Sequence, residues 1–320
     1  MQKPAHFLRV SFILAALLAT VGVPASGAFA ALRAASAPPL GAAASFAVLA
    51  GTEITNVPTS AISGDVGLSP AAGSNYTGLT AAQVTGTIYA VDATGPAGSV
   101  NNPALLTTAK TDLVTAYDAL SLGANANCDP SYTFGSGNKD LAGKTLVPGV
   151  YCADTFTLSG ILTLDDTGNA NGVWVFRAAS TLITSAGSVA KVQFLNGIGS
   201  SCNVWWKVVS SATLNTGTAF MGNILALTSI SLKSGASLAG RALARNGAVT
   251  LESNTVSRIC ASAAPPPSTP TPAPTPTKTP TPAPPEVPEA DTFLLMASGL
   301  GGLVTWLGWQ RARRGRAGRP

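Results

Sequence analysis

Histidine is almost missing from this chain: of 320 residues the one histidine is His6. It falls in a stretch with the marks of a secretory signal. Lys3 and Arg9 make a basic start, residues 10–23 are apolar, and Ala28-Phe29-Ala30 is an A-x-A cleavage site. With residues 1–30 read as that signal peptide, the rest of the chain has no imidazole. This excludes Ser-His and Cys-His nucleophile pairs and every imidazole metal site. Charge is scarce too. Charged residues are 10% of the chain, and between positions 31 and 264 eleven Lys/Arg face eleven Asp/Glu. The formal +5 therefore comes from the ends, chiefly Lys3, Arg9, Arg311, Arg313, Arg314, Arg316 and Arg319. A neutral, charge-poor middle has no electrostatic footprint for nucleic acid, and the basic ends belong to targeting and membrane topology.

Carboxylate chemistry has little to work with. Asp165-Asp166 is the best pair, but adjacent strand residues point to opposite faces, and Gly168 and Asn169 behind them mark a turn. A carbohydrate-active enzyme is thus the weakest class, and the chain reads as not an enzyme, with no cofactor. Cysteine is limited to Cys128, Cys152, Cys202 and Cys260, none in a C-x₂-C spacing, so no metal site is expected. An even count in an exported chain favours two disulfides. Of three connectivities, Cys128–Cys152 with Cys202–Cys260 is favoured.

What the chain does have is short alternating runs. Residues 204–256 repeat one phrase, two or three alternating small-polar and aliphatic residues and then a Gly or Asn turn: SATLNTG, LTSISLKSG, ASLAGRALA, NGAVTLESN. Period-two alternation marks strands and the clusters between them mark turns. Short strands without intervening helices predict a mainly β fold, a solenoid in which each coil stacks on the last, over residues 40–262. Residues 123–149 read as a loop-rich insertion. One segment differs: Leu105, Leu106, Ala109, Leu113, Ala116, Tyr117 and Leu120 recur at helical spacing, which predicts a helix over 102–122. Asn102 is its N-cap, Pro103 its first residue and Gly123 its stop. It lies alongside the solenoid and covers one side. The runs around Trp174, Phe176, Trp205 and Trp206 are the most apolar and belong to the core.

Aligning the strands by inward aliphatics puts Leu162, Ile183, Ala212, Ile230 and Val249 inside. Thr163, Thr184, Thr213, Ser231 and Thr250 then form one outward column. Ile161, Leu182, Ser211, Ser229 and Ala248 form a second beside it. With strands about 4.8 Å apart, this is a flat ladder of hydroxyls and methyls.

These residues resemble the ice-binding-like family, whose founding members are bacterial, algal and fungal antifreeze proteins. The motifs that carry the resemblance are LGAAASFAVLAGTEITN, ISGDVGLSP, the 102–122 helix, LVPGVYC, GVWVFRAASTLITSAGS and the repeats above. The resemblance implies an irregular right-handed β-solenoid of triangular section with one long α-helix packed alongside. It also implies a flat face of small outward residues in a T-A/G-x-T/N pattern that takes ice as its partner. Thr228-Ser229-Ile230-Ser231 and residues 246–250 fit this loosely, and Thr52-Glu53-Ile54-Thr55 fits apart from the charge of Glu53. Ile161 and Leu182 are bulkier than the pattern prefers. The expected face is Thr163, Thr184, Ser211, Thr213, Ser229, Ser231, Ala248 and Thr250. A rigid, uncharged array holds first-layer water near lattice positions through many weak contacts, with little ordering cost.

Residues 263–288 form a Pro/Thr-rich linker, an extended stalk. Residues 289–320 hold an apolar transmembrane segment over 292–309, with Trp306 and Trp309 at the interface and a basic tail. With Val287-Pro288-Glu289-Ala290-Asp291 before it, this end resembles a PEP-CTERM-type sorting signal, although Ala290 replaces the second Pro. The resemblance implies an exosortase-like sorting enzyme as partner; a simple membrane anchor is the alternative. Either way the expected location is the cell surface, membrane-anchored or released outside. An exported ice-binding surface protein and a structural or adhesive surface solenoid without ice activity both remain open.

Overall fold

The computed structural model describes residues 34–57, 59–128, 137–169 and 171–258. The chain divides into two compact units, Met1–Pro266 and Pro267–Pro320, and the described residues belong to the first. The expected signal peptide, linker, sorting motif, transmembrane segment and Cys260 lie outside the described residues, among which no helix is long and apolar enough to cross a membrane.

The described strands pair in parallel throughout, in two sheets. Hydrogen-bonded neighbours in the smaller sheet run Asn138–Asp140, Thr155–Leu158, Leu182–Thr184, Ala212–Leu214, Ile230–Leu232, Val249–Leu251, Ile54–Asn56, Tyr76–Thr77. The larger sheet has two limbs. One contains Gly149–Ala153, Trp174–Ala178, Val204–Val208, Phe46–Ala50, Asp65–Leu68 and Ile88–Ala90, and the other Ile161–Leu164, Lys191–Phe194, Thr255–Ser257 and Ala61–Ser63. Two eight-residue strands, Ala219–Ala226 and Ser237–Ala244, belong to both limbs. They turn the corner at Gly222 and Gly240. A Cβ on Gly240 would stand 1.9 Å from the carbonyl oxygen of Gly222, so only glycine lets the two backbones meet there.

The coils do not stack in chain order. The expectation that each coil rests on the one before it holds from residue 138 to 251 and then fails. Phe46–Ala50 pairs with Ser237–Ala244, and Ile54–Asn56 pairs with Val249–Leu251. The coil at this junction therefore takes two strands from the end of the domain (Val249–Leu251 and Thr255–Ser257) and one from its beginning, and strands from residues 54–101 stack beyond it. The insertion expected at 123–149 likewise contains two strands of the solenoid, Asn138–Asp140 and Thr145–Leu146.

Inside, large side chains from successive coils meet. Tyr151, Phe176 and Trp206 are register neighbours; the Phe176 and Trp206 rings stack at 4.0 Å and Tyr151 and Phe176 at 5.1 Å. The column continues through Ile224 and Ala242 to Val48, smaller side chains than the aromatics before them. The outer face of this limb is apolar as well, because the helix Pro103–Ala119 covers it. Leu106, Ala109, Leu113, Ala116 and Tyr117 meet Leu49, Val150, Val175, Trp205, Leu225 and Leu243 in a second core. A sheet buried on both faces needs continuous apolar runs, which is why VWVF and VWW show no alternation. Asn102 caps the helix, its side chain accepting the Leu105 N–H at 3.0 Å. The helix ends at Ala119, three residues before the expected Leu122, and Gly123 opens a short 3₁₀ turn, Gly123–Asn125. A disulfide joins Cys128 to Cys152 across 24 residues and contributes about 3 kcal/mol by loop closure. Cys202 is also disulfide-bonded.

Candidate functional site

The smaller sheet has one face on the core and one in water. Its inward row is Phe156, Leu182, Ala212, Ile230, Val249 and Ile54, all fully buried. The register of seven strand pairings then fixes the outward row: Asp140, Thr157, Ile183, Thr213, Ser231, Thr250, Thr55, Thr77. From Thr213 to Thr77 this is five consecutive rungs of hydroxyl and methyl. At about 4.8 Å per rung the run is about 19 Å long. Thr157, Thr213, Ser231 and Thr250 are partly exposed, and their hydroxyls make no hydrogen bond to a described residue.

Three of the eight expected face residues stand in this column: Thr213, Ser231 and Thr250. Ser211, Ser229 and Ala248 lie in the next row, where the hydroxyls are already engaged. Ser211 Oγ contacts Thr228 Oγ1 at 2.9 Å, and Ser229 Oγ accepts the Ala248 N–H at 3.2 Å. That row braces the sheet margin rather than presenting free hydroxyls. The other two expectations are corrected. Thr163 belongs to Ile161–Leu164, which pairs with Lys191–Phe194 and Thr145–Leu146 in the larger sheet, so it is on another face. Thr184 is 1% exposed and points inward, its Oγ1 2.6 Å from Thr218 Oγ1 and accepting the Asn215 N–H at 2.8 Å. The inward and outward residues of Leu182–Thr184 are thus the reverse of the alignment: Leu182 is buried and Ile183 is 40% exposed. Placing Ile183 inside put its two neighbours outside; the real core contact is Leu182 beside Phe156, and Thr184 goes inside because Thr218 and Asn215 satisfy it.

Thr157 and Thr77 lie in the column although the strand alignment does not include them, and Thr55 enters the sequence reading only as part of a motif. The signal for Thr157 is in Thr155-Phe156-Thr157-Leu158, whose Phe156 is an inward residue, but Ile161-Leu162-Thr163-Leu164 fits the Leu/Thr pattern better and takes its place in a strand alignment.

Charge stays at the margins. Lys233 and Glu252, two residues along from Ser231 and Thr250, neutralise each other at 2.9 Å. Glu53 accepts the Thr55 hydroxyl at 2.9 Å. Asp140 closes one end, where burial of its carboxyl is outweighed by hydrogen bonds from Ser159, Ala142 and Leu141 that hold it below the usual carboxylate range. Asp165 and Asp166 form the expected turn, each accepting a backbone N–H two residues on, from Thr167 and Gly168 at 2.9 Å.

A family model described as ice-binding-like matches residues 48–257, which contain nearly all of this sheet and the core behind it. The chain belongs to the ice-binding-like family. It is 42% identical over 231 residues to an ice-binding protein of Nostoc sp. (strain HG1), covering 71% of this chain and 77% of that one. An ice-binding protein of Flavobacterium frigoris (strain PS1) is 40% identical over 219 residues, 68% and 75% of the two chains. Among solved structures, the Shewanella frigidimarina ice-binding protein domain is similar with a TM-score of 0.60 at 30% identity, covering 70% of this chain and 98% of that one. An ice-binding protein from an Arctic yeast, whose structure was described as a basis for antifreeze activity, has a TM-score of 0.59 at 33% identity, covering 69% and 94%. These relatives are all named as ice-binding proteins.

Proposed function

We propose that this chain adsorbs to ice through the outer face of its eight-stranded sheet, on a right-handed solenoid of triangular section. The observation that carries the reading is the unbroken column Thr213–Ser231–Thr250–Thr55–Thr77 in strict register. Ice offers no charge and no single anchoring group, so recognition has to come from many weak contacts fixed in advance. Parallel strands on a packed core fix them, which leaves little conformational entropy to lose on adsorption. Methyls beside hydroxyls keep neighbouring water ordered without the strong hydration of a charged group. Family membership supports the same reading.

The protein works outside the cell in this proposal. Residues 1–30 direct export, 263–288 form a stalk, and 289–320 anchor the chain or hand it to an exosortase-like sorting enzyme, with surface display or release as the outcome. Ile183, Glu53 and Asp140 favour a second reading, a structural or adhesive surface solenoid without ice activity, because each interrupts or borders the column with the wrong chemistry. Thermal hysteresis and ice-recrystallisation inhibition by the purified chain separate the two. Activity at micromolar protein supports adsorption; none at any soluble concentration leaves the structural reading.

A further inference from the structure

Beyond the end of the helix Pro103–Ala119, the described residues line a cavity of about 430 Å³, within the usual range of small-molecule sites. Register sets Cys152, Arg177 and Lys207 side by side on consecutive strands there. Ala153, Ala178 and Val209 contribute apolar surface, and the Cys128–Cys152 disulfide closes one side. Lys207 is only 8% exposed and Arg177 is half-buried. Neither has a carboxylate within ion-pairing distance among the described residues: Asp118 sits 3.7 Å from Arg245, and Asp154, on the cavity rim, accepts the Gly137 N–H. Burial lowers the pKa of both cations; at Lys207 repulsion from Arg177 and Arg245 lowers it further, and Asp118, beyond ion-pairing distance, offsets this only in part. Lys207 Nζ donates to Ser121 Oγ at 2.8 Å and lies 4.2 Å from the centre of the Tyr117 ring. Arg177 Nη1 donates to the carbonyls of Asn125 and Ala126 at 3.0 and 3.1 Å. Among the described residues, donors on both side chains remain unspent: two on the lysine, and the Nε and Nη2 groups of the arginine.

We propose that this cavity binds an organic carboxylate, with Arg177 as the bidentate partner and Lys207 as the second charge. Two adjacent, partly desolvated cations with no carboxylate in ion-pairing distance among the described residues carry a desolvation cost, which a carboxylate seated between them would relieve. The guanidinium fork matches a planar carboxylate. The volume and apolar surface suit an organic body better than a bare ion. A free sugar acid and a uronate unit of an acidic polysaccharide carry the same chemistry. The site lies on the helix side of the solenoid and uses none of the hydroxyl column, so it stands or fails independently of ice adsorption.

The test is calorimetric titration of the full chain with galacturonate, an oligogalacturonate, inorganic phosphate and, as the neutral control, galactose. Saturable binding of either uronate with none of galactose is expected. Monomer binding identifies a free sugar acid as sufficient, and binding of the oligomer alone identifies the polysaccharide. Lys207→Gln and Arg177→Gln should each weaken uronate binding at least tenfold, and Lys207→Arg should restore most of it. Ligand-free melting temperatures verify that the variants are folded, and Lys207→Gln decides if Arg177→Gln unfolds. The proposal is overturned if no uronate binds, if galactose binds equally, if only phosphate binds, or if folded Lys207→Gln binds like the wild type.

Discussion

Replacing Ser231 with Tyr puts the ice-adsorption argument at risk most directly. Ser231 is the middle of the five-rung run, with Thr213 and Thr250 as its register partners. A phenol standing out from this position holds a flat solid surface away from its own rung and from the rungs about 4.8 Å to either side. Three of five hydroxyl contacts are lost. At about 1 kcal/mol net for each, adsorption weakens by about 3 kcal/mol, on the order of 100-fold. The fold should tolerate the change, because the Ser231 side chain points to solvent and packs against no core residue; surface changes of this kind usually stay within about 0.5 kcal/mol. The measurement is the lowest protein concentration that inhibits ice recrystallisation, paired with a thermal melt. An unchanged endpoint in a variant with unchanged melting temperature would refute the assignment of this face.

Three further expectations follow from the same geometry. Ile183→Thr removes the one aliphatic interruption and joins Thr157 to the column, seven rungs in all, so the inhibitory concentration should fall severalfold; a rise would show that the isoleucine itself contributes. Thr184→Val deletes a buried hydroxyl that Thr218 and Asn215 depend on, and should cost about 1–3 kcal/mol in urea unfolding while leaving the activity of folded protein intact. Lys110 donates from Nζ to the carbonyls of Ala244 and Arg245, and burial, with a smaller push from Arg245, lowers its pKa from 10.5 to about 8. Between those two values the unfolded chain binds more protons at this site than the folded one, so its contribution makes stability rise with pH from about 8 to 10.5 and stay flat below. Urea midpoints from pH 7.5 to 10 should show this rise in the wild type and lose it in Lys110→Met; parallel curves would contradict it.

How legible the site was depended on what each residue packs against. Thr213, Ser231 and Thr250 were readable because each lies in a regular aliphatic–hydroxyl–aliphatic triplet, Ala212–Leu214, Ile230–Leu232 or Val249–Leu251, in which alternation alone assigns the faces. Leu182-Ile183-Thr184 was not readable, because two adjacent aliphatics compete for the inside and only Phe156 on the neighbouring coil decides between them. Thr163 was misplaced for a related reason. Its strand has the right composition, but the chain had already turned a corner, and composition does not report which face of a coil a strand lies on.

The sequence by itself determined the local pattern: strands of period two, a capped helix with one apolar stripe, and the short motifs that mark the family. Such features depend on residues close together in the chain, where backbone geometry and side-chain alternation act directly. The tertiary structure decided what depends on distant residues. It placed Phe46–Ala50 beside Ser237–Ala244, almost two hundred residues on, and so carried the column past Thr250 to Thr55 and Thr77. It also brought Arg177 and Lys207 together beyond the end of the helix. Both outcomes rest on register between coils, which is fixed by the fit of side chains in the core and not by the order in which the chain presents them.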